Sequence, residues 1–326
     1  MGIVDYRTGI VHAVADLLTA LQTACTDNGW TLTAGGVLHK TDAASGNTCY
    51  ANVYVQGQHL RLRGGTGIDG SGVLTGQVRA YNNSELYLRL GNDVGLLPAA
   101  TYPWTYHIHV YDDPDCVFLI INYNGDMYQH MEFGVSNLDI PGNGTWVSAT
   151  VGRDNNRNGG FTLDPRGGSG SAFESTGWIF GRCSQPWYMT GFIHHGFPDA
   201  NPARMGGWSK ESATNNFSWG TPGHADLSLP IGRLMDSQPS AFNSRPVPQP
   251  AVLRLRREDA NVSVVATIPA LRFLRIDNLA PEEIFHYGSD AWKVYPFYRK
   301  NIAARDGGGT VQHTGTMGFC LAWDDT

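Results

Sequence analysis

The chain has 326 residues, a formal net charge of −6, and a composition that is 41% hydrophobic and 16% charged. That apolar content with so few charges excludes an intrinsically disordered chain. The acidic balance disfavours a general nucleic-acid-binding surface, because the densest basic cluster (Arg254, Arg256, Arg257) runs straight into Glu258 and Asp259. Only a local basic stripe created by folding stays open. Aromatic residues make up 11% of the chain, alongside 40 Gly and 17 Pro. Many turns and many aromatics suit a β-rich protein with large protein–protein contacts.

At the N-terminus Asp5 and Arg7 interrupt the apolar residues, so no signal-peptide pattern is read there. No apolar run reaches the roughly 18 residues of a membrane span. The expectation is a chain made in a cytoplasm that stays soluble until it assembles. Residues 9–28 carry a helical pattern, with Val11, Val14, Leu17, Leu18, Leu21 and Cys25 on one face and a stop at Asp27-Asn28-Gly29.

Strand signals follow. Trp30 to Thr33 is short; Tyr50, Asn52 and Tyr54 alternate with Ala51, Val53 and Val55; His59 to Arg63 alternates again. Tyr106 to Val110, the turn Asp112-Asp113-Pro114-Asp115, Cys116 to Tyr123, the turn Asn124-Gly125 and Met127 to Phe133 predict an antiparallel β-meander. Residues 141–223 are rich in Gly, Asn, Ser and Pro, with Trp178-Ile179-Phe180 and Trp187-Tyr188-Met189 as strand candidates. Pro239, Pro246, Pro248 and Pro250 predict an extended linker. Ala251 to Leu255, Val262 to Thr267, Leu271 to Ile276, Trp292 to Tyr298 and Met317 to Trp323 read as strands.

The predicted fold class is therefore a β-rich α+β protein. An N-terminal helix packs on an antiparallel sheet within residues 1–140. A loop-rich insertion or interface arm follows at 141–235, then a Pro-rich linker at 236–250 and a C-terminal β lobe at 251–326.

Several constellations hold residue types that can carry chemistry. His107 and His109, two apart on a strand, face one side, and His130 on a neighbouring strand would complete a three-histidine metal site. The competing reading places them on the solvent face of an antiparallel sheet. His194 and His195 are adjacent and diverge on a strand. Cys183 lies upstream of both, but no family signature surrounds it. No G-x-S-x-G occurs, and Gly168-Ser169-Gly170 and Gly70-Ser71-Gly72 are loop spacers. The Gly-rich run Gly64 to Gly70 lacks the Lys of a phosphate loop. Glu132, Glu174 and Glu211 are candidate glycosidase carboxylates with no set separation. The five cysteines (Cys25, Cys49, Cys116, Cys183, Cys320) form no CxxC pair; they read as buried thiols, with one inter-subunit disulfide as the sharper alternative. No catalytic residue, cofactor or metal is expected.

The C-terminal segment carries a resemblance. Leu271-Arg272-Phe273, Asn278-Leu279-Ala280-Pro281, Gly288, Trp292 to Lys300 with its Trp-x-x-aromatic-Pro-aromatic pattern, and Thr314 to Phe319 resemble a family of uncharacterised tailed-bacteriophage virion proteins. Tyr6-Arg7-Thr8-Gly9 and Asn28-Gly29-Trp30-Thr31 are similar at the start, and the middle matches only in character. The resemblance implies a non-enzymatic structural subunit in the neck, collar, tail or baseplate of a virion, with copies of itself and neighbouring virion proteins as partners. It carries over no catalytic residue. Trp292, Tyr295 and Phe297 would plug a core or an interface, and Pro281 and Pro296 would fix turns or edge positions. The rival expectations are a receptor- or carbohydrate-binding baseplate or fibre component, and a virion-associated glycosidase.

Overall fold

The computed structural model describes residues 3–78, 86–91, 100–135, 142–154, 191–196, 208, 246–256, 262–297, 299–300 and 317–324. The strand candidates at Trp178 and Trp187, and much of the loop-rich stretch, lie outside them. The described chain is β-rich with one helix, as the composition and periodicity indicate.

Three antiparallel sheets carry the fold. The central sheet runs β1 (Ile3–Val11), β9 (Trp104–Tyr111), β10 (Cys116–Tyr123), β11 (Met127–Val135), β12 (Thr145–Ala149), β14 (Gly191–Ile193). A second sheet runs β13 (Val151–Asp154), β8 (Leu86–Gly91), β5 (His59–Gly64), β4 (Thr48–Gln56), β3 (Val37–Thr41), β2 (Thr31–Leu32). The C-terminal sheet runs β15 (Gln249–Arg256), β16 (Val262–Arg275), β19 (Met317–Trp323), β18 (Asp290–Pro296), β17 (Ile284–Tyr287). A small ribbon pairs β6 (Gly67–Ile68) with β7 (Leu74–Thr75).

The predicted meander is β9–β10–β11, with Asn124 and Gly125 both at positive φ in the tight turn. Every residue of β10 and β11 is buried, because both faces of the central sheet are covered. On one face Ile108, Val110, Val117, Leu119, Ile121, Met131 and Phe133 pack with Ala51, Val53, Leu60, Leu62 and the apolar side of the helix. On the other, Tyr111, Cys116, Phe118, Ile120, Tyr128 and Trp146 pack against Leu271, Phe273, Tyr295, Phe297, Phe319 and Leu321 of the C-terminal layer. The outer side of that layer has its own core of Leu274, Ile276, Leu279, Phe285, Trp292, Val294 and Cys320.

The helix α1 spans Val14–Asp27 and buries Val14, Leu17, Leu21, Ala24 and Cys25. It starts later than the periodicity suggests, because residues 3–11 form β1 and pair with β9. Gly9 leaves room there for Tyr106 of the paired strand: a β-carbon would stand 2.8 Å from its hydroxyl and require that side chain to shift. The helix ends where the sequence indicates, with the Asn28 side chain donating to the Ala24 carbonyl at 2.8 Å and Gly29 at φ +81°.

Other differences follow from tertiary pairing. The segments around Val262 and Leu271 form one strand, β16, which absorbs Pro269 in a bulge where the partner register jumps from Arg272 to Ile268. Pro250, expected in the linker, already belongs to β15. Strands β12 and β14 lie beyond residue 140 but extend the central sheet, so that boundary falls within one sheet.

Candidate functional site

The polar face of the central sheet meets the C-terminal layer in a connected network. Alternation on β9 turns His107, His109 and Tyr111 to one side, and the β1 register puts Tyr6 opposite His109. From β11 comes Tyr128. From the C-terminal layer come Lys293 and Tyr295 of β18, Trp323 of β19 and Glu282. Glu282 directly follows Asn278-Leu279-Ala280-Pro281, at φ 65°, with its backbone N–H donating to the Val294 carbonyl at 2.7 Å. A bulky residue at positive φ marks a locally strained backbone, here held where the carboxylate reaches across the layers.

His107 stands between a phenol and a carboxylate. The Tyr6 hydroxyl lies 2.8 Å from Nδ1, and Glu282 Oε1 lies 3.2 Å from Nε2. The second contact is off the line of a well-formed hydrogen bond and is chiefly electrostatic. Glu282 also accepts a hydrogen bond from the Tyr128 hydroxyl at 3.1 Å. Burial works to raise the Glu282 carboxyl, but His107, Tyr128 and Lys293 together outweigh it and hold the group below the ordinary glutamate range. Lys293 places its ammonium 5.0 Å from the Tyr6 ring centre and 4.7 Å from the Trp323 ring. Burial lowers its pKa, against the opposing pull of Glu282.

The second chain of contacts runs through His109, fully buried, whose Nε2 is 2.8 Å from the Tyr295 hydroxyl. The Tyr111 hydroxyl donates to the Ala322 carbonyl at 2.7 Å and lies 3.5 Å from His109 Nδ1. Burial, reinforced by His107 and Lys293, pushes the His109 pKa well below the usual histidine value, so the ring is neutral. Burial raises the phenols of Tyr6, Tyr128 and Tyr295, which therefore remain donors at neutral pH. The Glu282–His107, Tyr128–Glu282, His109–Tyr295 and Tyr111–Ala322 contacts tie the C-terminal layer to the central sheet, while Tyr6–His107 joins two strands of the central sheet itself.

The predicted residues are thus placed as follows. His107 and His109 do share a face, but it is covered by the C-terminal sheet and not by solvent. His130 is two strands from β9: the register runs His107, Ile120, His130, so Ile120 intervenes across roughly 9–10 Å. His130 instead pairs with Glu132, Nδ1 to Oε2 at 3.0 Å, both side chains enclosed beside Phe319. Among the described residues no cluster of His, Cys, Asp and Glu gathers as a metal site. Glu132 is bound to its neighbour between two sheets, not set in a cleft. Glu174, Glu211, Cys183 and Gly168 to Gly170 lie outside the described residues. His194 stacks edge-on against Trp208, and its Nδ1 accepts from the Asn143 N–H at 2.9 Å. Cys25, Cys49, Cys116 and Cys320 are buried free thiols whose pKa burial raises.

Sequence reasoning missed Glu282, Lys293, Tyr6 and Tyr128. Tyr6, Tyr128 and Lys293 are polar side chains on strands and Glu282 lies in a turn, and nothing local to any of them names its partner. Arg61 and Arg89 pair in register on β5 and β8, but Arg89 is buried, so this pair is no solvent-facing basic stripe. No protein-family model and no curated protein matches the chain.

Proposed function

We propose that the chain is a structural subunit of a tailed-bacteriophage particle, joining copies of itself and neighbouring virion proteins as a ring or trimer in the neck, collar or tail. The observation that carries this reading is the state of the sheet edges. One edge strand of each large sheet presents apolar side chains to solvent: Val4 and Ile10 on β1, Leu32 on β2, Ile284 and Tyr287 on β17. Monomeric proteins blunt such edges with charge, proline or cover. On β1 the charges are otherwise engaged, since Arg7 reaches Asp5 at 2.7 Å and Asp27 of the helix at 2.8 Å. Ile10 is left 63% exposed.

The resemblance of the C-terminal segment to virion proteins supports the same reading. Its residues hold the interior together: Tyr295 and Phe297 plug the layer between sheets, and the Asn-Leu-Ala-Pro turn aims Glu282. A layered, cross-tied body with open apolar edges suits a load-bearing unit that completes its burial on assembly. Ile10→Asp tests this. The isolated chain should melt as before, because Ile10 touches little of its own fold, while incorporation into particles falls at least tenfold. Normal incorporation counts against the proposal.

A further inference from the structure

Among the described residues, the histidines buried on strands of the central sheet all face one boundary. His107 and His109 of β9 and His130 of β11 each contact the C-terminal layer. His107 meets Glu282, His109 meets Tyr295, and His130 lies edge-on to Phe319. Two more carboxylates sit there: Glu132 beside His130 at 3.0 Å, and Asp126, which holds Arg299 at 2.8 Å. The other groups facing this cluster are the phenols of Tyr6, Tyr111, Tyr128 and Tyr295, the thiols of Cys116 and Cys320 beside Tyr111, and the ammonium of Lys293. From β19 come Phe319 and Trp323, which carry no charge.

Acid acts on this boundary twice in one direction. Burial opposes ionisation of Glu282, but His107, Tyr128 and Lys293 outweigh it and hold the carboxyl low. Its stabilising contribution is therefore present at neutral pH and lost as pH falls through the folded value. Burial, with His107 and Lys293 nearby, depresses His109, so the closed layer resists a proton that the open one accepts. Once Glu282 is neutral, Lys293 and any proton arriving on His107 or His109 face one another without that counter-charge.

The opposite boundary responds the other way. Between the central and second sheets, Asp115 meets Lys40 at 2.6 Å, and its backbone N–H donates to Asp42 at 3.2 Å. Burial raises the Asp115 carboxyl despite Lys40, so its contribution to stability is present in acid and lost as pH rises through the folded value. The Arg7–Asp27 pair between β1 and the helix is exposed and contributes little at any pH.

We propose that the C-terminal sheet is an acid-released layer, lifting from the central sheet in mild acid while the central sheet, the second sheet and the helix stay packed. The released sheet keeps its own outer core of Leu274, Ile276, Trp292, Val294 and Cys320, so it leaves as one cooperative piece. What it uncovers is the face of Tyr111, Cys116, Phe118, Ile120 and Tyr128. The release belongs to a single chain and does not depend on assembly.

Native cysteines read it out, because Cys116 lies in the uncovered face and Cys25 and Cys49 in the opposite core. The full chain is treated at pH 7 and pH 4 with 4,4′-dithiodipyridine, a disulfide that reacts with thiols in acid, and the modified sites are identified by peptide mass spectrometry. The protection of each thiol is its rate in urea over its native rate at the same pH. From pH 7 to pH 4 the protection of Cys116 should fall by about tenfold or more, the scale of one pKa unit of differential protonation, while that of Cys25 and Cys49 holds. His109→Gln cannot take up the proton and should keep more of the Cys116 protection at pH 4. Should that variant be unfolded at pH 7, Glu282→Gln takes its place; it should lose Cys116 protection already at pH 7 and change less between the two conditions. The proposal is overturned if Cys116 stays protected at pH 4, if the three thiols lose protection together, or if the folded variant follows the unaltered chain.

Discussion

Glu282 of the C-terminal layer and His107 of the central sheet meet at 3.2 Å, carboxylate to imidazole, across the boundary between two sheets that are far apart in sequence. The strained turn that carries Glu282 therefore acts as a latch, and the Tyr128 hydroxyl fixes the same oxygen.

The latch has a pH signature. The Glu282 carboxyl is held below its unfolded value, so it stabilises the fold above the ordinary glutamate range and loses that contribution as pH falls through its folded value. Glu282→Gln should cost about 1–2 kcal/mol at pH 7, the scale of a hydrogen bond to a charged group. Urea unfolding at pH 7 and pH 3 checks it: the gap between the two proteins should narrow in acid, and an equal gap at both would contradict the latch.

His109 works in the opposite sense. Its folded pKa is depressed by burial, so below the ordinary histidine value of about 6.5 the unfolded chain takes up a proton that the folded chain refuses. Stability should fall by up to about 1.4 kcal/mol per pH unit on this account as pH drops below that value. His109→Gln removes the titration. The slope of unfolding free energy between pH 6.5 and pH 5 should be flatter in the variant, whatever its absolute stability.

Trp292 is 5% exposed in the outer core of the C-terminal sheet. Trp292→Ala should cost about 3–5 kcal/mol from lost burial and the cavity left behind. Thermal unfolding reads this as a clear drop in Tm, and an unchanged Tm would count against the described packing.

The thiols give a chemical check. Cys25, Cys49, Cys116 and Cys320 are enclosed and hold their protons more tightly than a free cysteine. Iodoacetamide on the native protein should leave all four unmodified by mass spectrometry, and urea should expose them. An inter-subunit disulfide through any of these four would require the fold to open.

Local pattern made much of the fold legible. The helix face from Val14 to Cys25, the meander and the closing strand Met317–Trp323 follow from periodicity and turn chemistry alone. β1 escaped because its middle, Asp5-Tyr6-Arg7-Thr8-Gly9, carries no apolar alternation, although it pairs in unbroken register with β9. β16 read as two strands because a bulge, not a break, accommodates Pro269. The site was harder. That His107 and His109 share a face is a matter of period two, but that the face is covered depends on a sheet formed some 160 residues later, which no local pattern specifies. Glu282 was visible only as the residue after a Pro turn.

The central claim is that the exposed edges of β1, β2 and β17 are completed by other chains in a particle. A cryo-electron microscopy map of intact virions with this chain located tests it most directly. The account predicts symmetry-related copies in contact, with Val4, Ile10, Leu32, Ile284 or Tyr287 buried at their boundaries; single, separated copies with those residues in solvent would contradict it.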